Sequence, residues 1–454
     1  MNKNTTFHLF GAIIAAGILS FSGVLIETAM NVTFPSLIQE FGVTTSGIQW
    51  VTTIYLLMIS VIVPISSYLN QNFSIRGLFV TANLFFLSGV LINCFSPVFS
   101  LLLLGRLLQG VGTGIGLPLM FHIILTKAPI EKRGMMMGIG TMTTAIAPAI
   151  GPTYGGLLSI LLNWRYIYIL LIPLIIFSLV LGLYSIPNGG SKEKQPFYFR
   201  CVFLLMVTFT SLIMALSAGS GAVFAMFLAL GIVSALLFVR SNRKNTLLQI
   251  SVLKNRRFSA LLFCLLIYQA LLLGLSFVLP NYLQISAGFR SSVAGFLMFP
   301  GALEAAILAP LSGRLLDKAG ANKPILSGLL MTCAGGVLLM ALLHTNSLAL
   351  LIGSHLVLQT GIGISYSNLM TCSLSALPPR QISDGNAFVN TFQQFISAVS
   401  TASVAAVFSF SQKKYGFIPG TASAAWNVLL IFFLLLVVST VVAFLTLRKE
   451  NNIN

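Results

Sequence analysis

Charged side chains in the middle of long apolar runs are the residues of this sequence that can do chemistry. Glu27, Arg106 and Glu304 each stand far from any polar segment. A charge placed in hydrocarbon costs several kcal/mol, so such residues usually face an aqueous cavity and carry function. At about 1.5 Å per helical residue, Glu27 lies roughly 16 Å, Glu304 roughly 18 Å and Arg106 roughly 12 Å from the outer end of its run, all near mid-depth. A buried carboxyl holds its proton more firmly than one in water. That is the property needed to load and release protons near neutral pH, with a guanidinium nearby as partner for the deprotonated form. The plainer alternative is a neutral carboxyl hydrogen-bonded between helices, beside Thr28 for Glu27 and among Ala and Leu for Glu304.

The remaining acids are accounted for elsewhere. Glu40, Glu131, Glu193 and Glu450 fall in loops or tails, and Asp317 and Asp384 at cytoplasmic helix ends. Uncharged polar residues inside the runs are weaker signals. Asn386, Asn390 and Gln393 form one helical stripe with Gln394 beside it, suited to lining a cavity or to joining helices. Asn31, Gln109 and Tyr366 complete the candidate substrate-binding set. His122 and His355 also lie in apolar runs, where a packed neutral imidazole competes with a pH-sensing role.

The elements that hold these residues follow from composition. Of 454 residues, 57% are hydrophobic and 7% charged, and the mean hydropathy is +0.96. A soluble domain carries about 25% charged residues, so this chain is expected to face lipid as an all-α polytopic membrane protein. Apolar runs of about 20 residues span a hydrocarbon core of about 30 Å. Fourteen are expected, over 8–38, 47–69, 77–95, 98–125, 134–159, 165–186, 198–217, 221–240, 257–284, 292–316, 323–343, 347–375, 384–411 and 424–447. Lys3 precedes a first run without a small-residue cleavage site, which reads as a retained helix. The five Cys are scattered and set no disulfide framework. The +17 charge reads as loop charge and implies no nucleic-acid partner.

Charge also sets the orientation. With the N-terminus inside, 20 of the 25 Lys and Arg fall on the inner side and four outside (Arg165, Arg290, Lys413 and Lys414), leaving Arg106 within a span. This bias is the one cytoplasmic loops show, and it places both termini inside a bacterial inner membrane. Trp50, Trp164 and Trp426 then fall at outer helix ends, where an aromatic belt is expected. Residues 240–257, rich in Lys and Arg around Leu247, Leu248, Ile250, Val252 and Leu253, read as a cytoplasmic linker lying partly on the membrane surface. They divide the chain into six helices (1–190), two additional helices (191–245) and a linker with six more (246–454). A weak repeat, Ser67–Ser74 against Gly313–Gly320, supports two halves with a substrate site between them. The run Gly110–Gly116 lacks the strand and the Lys-Ser/Thr of a phosphate loop. Its small residues suit close helix packing, and neither ATP nor any cofactor is expected.

Taken together these segments resemble the major facilitator superfamily, and within it the fourteen-helix drug/proton antiporters of the QacA/EmrB type, over essentially the whole chain. Leu104-Gly105-Arg106-Leu107-Leu108-Gln109-Gly110 is similar to a family motif whose Arg is implicated in proton coupling. Ala147-Pro148-Ala149-Ile150-Gly151-Pro152-Thr153-Tyr154-Gly155-Gly156 is close to the antiporter motif, which importers generally lack. Asn163–Tyr168 resembles the segment opening the sixth helix. Ile26–Pro35 resembles the first-helix motif, with its acid at Glu27 where many members carry Asp one residue earlier. That shift turns the acid by about 100° around the helix. The loop after the second span lacks the family's acid, which the repeat copy keeps at Asp317 with Gly313 and Gly320.

The resemblance implies a non-enzymatic, proton-coupled exporter of lipophilic cationic or zwitterionic drugs. It would work as a monomer in membrane lipid, by alternating access. Glu27, Arg106 and Glu304 are its expected proton-coupling residues. Asp317, Gly313, Pro148, Gly151, Pro152, Gly155 and Gly156 are its gating residues. A metabolite/proton symporter and a lipid or cell-wall precursor flippase are the alternatives with the same architecture.

Overall fold

A computed structural model describes residues 8–129, 146–147, 150–187, 198–216, 218, 220–243, 247–345 and 347–451. All regular structure among them is helical. Twelve of these helices are long and apolar enough to cross a membrane. The long elements, in chain order, are α1 (Leu9–Phe41), α2 (Trp50–Asn72), α3 (Ile75–Cys94) and α4 (Phe99–Lys127). They continue as α5 (Ile150–Leu161), α6 (Arg165–Ser185), α7 (Phe199–Leu216), α8 (Gly221–Asn242) and α9 (Arg256–Asn281). The last are α10 (Ser291–Ala319), α11 (Asn322–Leu342), α12 (Leu348–Ser375), α13 (Ile382–Tyr415) and α14 (Phe417–Asn451). The twelve comprise all of these except α5, whose described part is short, and α10. Pro148 and the side chain of Asp317 lie outside the described residues.

Helix–helix approach in this bundle is set by glycine. Within the first half α4 is central, packing on α1, α2 and α3, and the run 110–116 supplies the room. A Cβ on Gly110 would stand 2.7 Å from the Tyr55 carbonyl oxygen of α2. One on Gly112 would meet the Ala82 carbonyl oxygen of α3 at 2.6 Å, and one on Gly116 would meet Leu19 of α1. Such close backbone approach, rather than exclusion of apolar surface from water, holds helices together in lipid. In the second half α12 is central in the same way, against α10 and α11.

Where the halves meet, they join at one end. Gln284 donates to the Val32 carbonyl (3.0 Å), Thr153 to the Gly295 carbonyl (3.3 Å) and Thr45 to Gln412 Oε1 (2.8 Å). Gln412 donates onward to Thr421 at 2.8 Å. Phe34 packs edge-on to Phe277, which meets Phe408 in turn. The same end carries a clasp within the first half. Arg165 pairs with Glu40 at 2.8 Å and stacks over Trp164, and Trp164 donates to Glu40 at 2.6 Å.

One feature departs from the sequence expectation. Trp164 is buried (3% exposed) rather than set in an interfacial belt, because the Glu40 hydrogen bond and the Phe41 and Tyr168 rings draw it inward. The linker turns part of its apolar surface into protein, with Leu248 and Val252 buried and Leu253 39% exposed. Asn242 pins the turn by accepting from the Leu247 and Leu248 amides and donating to the Leu248 carbonyl at 2.6 Å.

The two additional helices pack on each other, and α7 lies against α2 and α13. Phe209 stacks on Phe395 at 4.1 Å and meets Phe392 edge-on, so α7 covers the seam between the halves on that side.

Candidate functional site

Glu27, Arg106 and Tyr55 converge at mid-depth in the first half. Along α1, Gly23, Glu27 and Asn31 recur at every fourth residue and so share one helix face. At Gly23 there is no Cβ, and one there would stand 2.6 Å from Thr113 Oγ1 and 2.9 Å from the Tyr55 hydroxyl. This brings the face up against α2 and α4. Tyr55 donates to Thr113 at 2.9 Å, and the Arg106 guanidinium lies 4.2 Å from the centre of the Tyr55 ring.

Arg106 is fully buried and held from three sides. Its Nε donates to the Val51 carbonyl (2.8 Å) and its Nη1 to Gln109 Oε1 (3.0 Å), while the Tyr55 face takes its flat side. A guanidinium presents five donors in a fixed fork, and the buried Tyr168 also lies within its reach. Glu27 is within electrostatic range of both Arg106 and Tyr55. No ion pair within 4.0 Å joins Glu27 to Arg106. Glu27 is buried, at 7% exposed. The arrangement is a fixed cation beside an acid that is near it and unpaired, which lets the acid exchange a proton without dismantling the cation's support.

Several expected substrate ligands have other work in this structure. Asn31 is fully buried and fully engaged, accepting from Thr52 at 2.8 Å and donating to Ser276 of α9 at 2.9 Å. It is a seam residue tying three helices across the two halves. Gln109 is buried against Arg106, which it orients. Asn390 donates to Asn386 within α13, so that part of the stripe satisfies itself.

Gln393 and Tyr366 do come together. Gln393 donates to the Tyr366 hydroxyl (2.7 Å), which donates to Gln269 Oε1 (2.8 Å). Gln269 donates to Ser397 (2.8 Å), closing a network over α9, α12 and α13. Gln269 and Ser397 escaped the sequence reading, although a lone amide in an apolar span is itself a signal of helix contact.

Removing Asn31 exposes what the seam contributes. Asn31→Ala strands Thr52 as a buried unpaired hydroxyl at about 1–3 kcal/mol, while Ser276 loses its donor across the seam and keeps its own bond to the Leu273 carbonyl. A bias of about 1.4 kcal/mol shifts a two-state population tenfold. Labelling of a single Cys at position 45 from the side bearing Glu40 should therefore rise about tenfold in Asn31→Ala. Unchanged labelling with an altered substrate range would return Asn31 to the substrate ligands.

Helix α5 is seated by its glycines. Gly151 abuts the Leu25 carbonyl and Thr28, Gly155 the Ala29 carbonyl, and Gly156 the Ser291 carbonyl of α10, while Gly295 of α10 abuts the Pro152 carbonyl. The described part of α5 is thus wedged between the Glu27 segment of α1 and the second half. A Cβ on Gly313 would meet nothing within 4 Å among the described residues.

Glu304 stands apart. It lies nine residues after Gly295, on about the opposite side of α10, away from the face that meets α5. Its Oε1 accepts from Thr360 of α12 at 2.6 Å. The structure unites Glu27 with Arg106 and does not bring Glu304 to them.

Comparison with known proteins gives a family and close functional names. The Major Facilitator Superfamily profile matches residues 16–401. The chain is 34% identical to Lincomycin resistance protein LmrB of Listeria monocytogenes serovar 1/2a over 402 residues, 87% of this chain and 85% of that protein. It is 23% identical to the Multidrug resistance protein B homolog of Mycobacterium tuberculosis, over 88% of this chain and 77% of that protein. Among solved structures, a bacterial homolog of the lysosomal transporter Spinster, inward-facing and unoccupied, aligns over 99% of this chain and 98% of its own. Its TM-score is 0.66 at 15% identity. The peptide transporter POT in complex with sulfate reaches a TM-score of 0.69 at 14% identity over 96% of this chain and 95% of its own. At these identities the two structures establish the fold alone.

Proposed function

This chain belongs to the Major Facilitator Superfamily and is a multi-pass membrane transporter rather than an enzyme; from that premise we propose that it is a proton-coupled exporter of lipophilic drugs of the fourteen-helix type. Residues 1–190 and 246–454 form the two moving halves, and residues 191–245 the added pair. The observation that carries the reading is the acid beside a fixed cation at mid-depth. Glu27 takes a proton from outside and gives it up inside, while Arg106, anchored on Val51 and Gln109, supplies a constant counter-charge.

The rest of the cycle uses the seam. With the charge bias fixing the Glu40 end outside, the hydrogen bonds of Asn31, Thr45, Thr153 and Gln284 to the second half close the outer mouth. Drug enters from the cytoplasmic side. Protonation of Glu27 is felt one helical turn away at Asn31, so the acid and the outer seam share one face of α1. The Gln269–Tyr366–Gln393 network is the polar wall of the second half that meets the drug.

Relatives named for lincomycin and multidrug resistance support a drug as cargo. A drug-sensitive bacterial host expressing the chain should tolerate raised concentrations of lincosamides or lipophilic cationic dyes, and an uncoupler should abolish the gain. No gain for any tested drug, with the protein present in the membrane, would contradict the reading.

Orientation is tested separately. Single Cys reporters at 290 and 414 in a Cys-free background should react with an impermeant reagent from outside, and those at 193 and 450 only after permeabilisation. Outside labelling at 450 would mean an odd number of spans.

A further inference from the structure

Helices α13 and α14 form a hairpin that is tight at its turn and leaves a space further in. Near the turn, a Cβ on Gly420 would stand 2.5 Å from both Gln412 Cα and the Ser411 carbonyl oxygen. Deeper, both helices also engage α9. Phe432 of α14 packs into the room left by Gly274, and Ser400 of α13 donates to the Ala270 carbonyl at 2.6 Å. A cavity of about 240 Å³ remains between them, lined by Ala270 of α9, Ser403 and Val407 of α13, and Val428, Ile431 and Leu435 of α14. Ile431 and Leu435 are exposed, and α14 carries no polar residue from Val428 to Val438. A face of that composition on a membrane-spanning helix meets lipid rather than water.

Lys414 continues the α13 wall of this cavity towards the turn. Ser400, Ser403, Val407 and Lys414 follow one another at three, four and seven residues, so one helix face carries all four. The middle of α13, a 34-residue helix over Ile382–Tyr415, falls near residue 399. Val407 therefore stands about 12 Å and Lys414 about 23 Å from mid-helix. Half the hydrocarbon thickness is about 15 Å, which sets Val407 among acyl chains and Lys414 among headgroups. Lys414 is exposed, its ammonium leans over the Tyr415 ring at 4.9 Å, and no carboxylate of the described residues lies within 4.0 Å of it. The groove thus offers an apolar slot at chain depth and a cation at headgroup depth on one face.

We propose that the α13–α14 groove holds an acyl chain of an anionic phospholipid whose phosphate sits on Lys414. The chain fills the space that Ser403, Val407 and Val428 are too short to close. Ser400 spends its hydroxyl on α9, in keeping with an apolar occupant. A zwitterionic lipid brings the same chain, but the cation in its own headgroup offsets the attraction to Lys414. This inference needs only that the chain lies in a membrane, and it is independent of the export reading.

Lipid titration tests it without transport. Purified, delipidated protein is titrated with dioleoyl phosphatidylglycerol and with dioleoyl phosphatidylcholine, and native mass spectrometry reads the affinity of the one-lipid complex. One lysine at headgroup depth favours an anionic lipid by about fivefold, so phosphatidylglycerol should bind about fivefold tighter. Lys414→Gln, at an exposed residue, should remove that preference. Lys413→Gln should keep it, because its side chain is turned about 100° away around α13. Val407→Trp should fill the cavity and weaken both lipids. Glycerophosphoglycerol, the headgroup without its chains, should not compete. Equal affinity for the two lipids in wild type overturns the inference, as does equal loss of preference in Lys413→Gln and Lys414→Gln. Competition by the free headgroup would reduce the site to surface charge and overturns it too. Lipid binding untouched by Val407→Trp would likewise overturn it, leaving the cavity to a drug or to a second copy of the chain.

Discussion

Glu27→Gln is expected to retain drug binding and to lose pH-driven transport completely, down to the rate of vesicles without the protein. The substitution keeps volume and hydrogen-bonding capacity and removes only the titration. Arg106 does not depend on Glu27 for its place, being held by Val51, Gln109 and Tyr55, so the variant should fold and insert. Without a proton to exchange, the drug and the pH gradient are no longer linked. Efflux by Glu27→Gln at the wild-type rate would remove Glu27 from the coupling step. Because Glu304 lies on the side of α10 away from the Gly295 contact with α5, Glu304→Gln should keep pH-driven transport. Equal loss in both variants would require a relay that joins the two acids.

The second large effect is at Gly155. The missing Cβ lets α5 sit directly on the Ala29 carbonyl of α1, two residues past Glu27. Leucine there forces the helices apart, and overpacking a tight contact costs about 1–3 kcal/mol or more. The loss falls on the contact between α1, α5 and α10, where the halves must close and reopen. Gly155→Leu should therefore insert normally and transport nothing, whereas Gly313→Leu, where a Cβ meets no described residue within 4 Å, should retain transport. Full activity in Gly155→Leu would show that the glycine is dispensable.

How much of this was readable beforehand depends on the kind of residue. Glu27 and Arg106 were visible because a charge in an apolar run has only a few physical explanations, and counting residues gives its depth. The direction a side chain takes is another matter. Glu304 is as deep as Glu27, yet only the contact of Gly295 with α5 reveals that it points the other way. Tyr55 is one of 11 Tyr, and nothing local marks it as the ring under Arg106. Asn31 and Gln109 were legible as polar and not as occupied, since their hydrogen bonds run to partners on other helices or to a neighbouring guanidinium. The glycine run of α4 was read as packing, and its carbonyl contacts bear that out. Trp164 looked like a membrane anchor from its place at a helix end. Its partner, Glu40, is 124 residues away in sequence, beyond any local pattern.

The central claim, that a proton gradient drives export, meets its most direct test in everted membrane vesicles holding the wild-type chain. A lipophilic dye is placed outside and the lumen is acidified. Dye should accumulate in the lumen as long as the gradient lasts and leave when nigericin collapses it, with no need for ATP. Accumulation that ignores the pH gradient, or that appears only with ATP, would contradict the account.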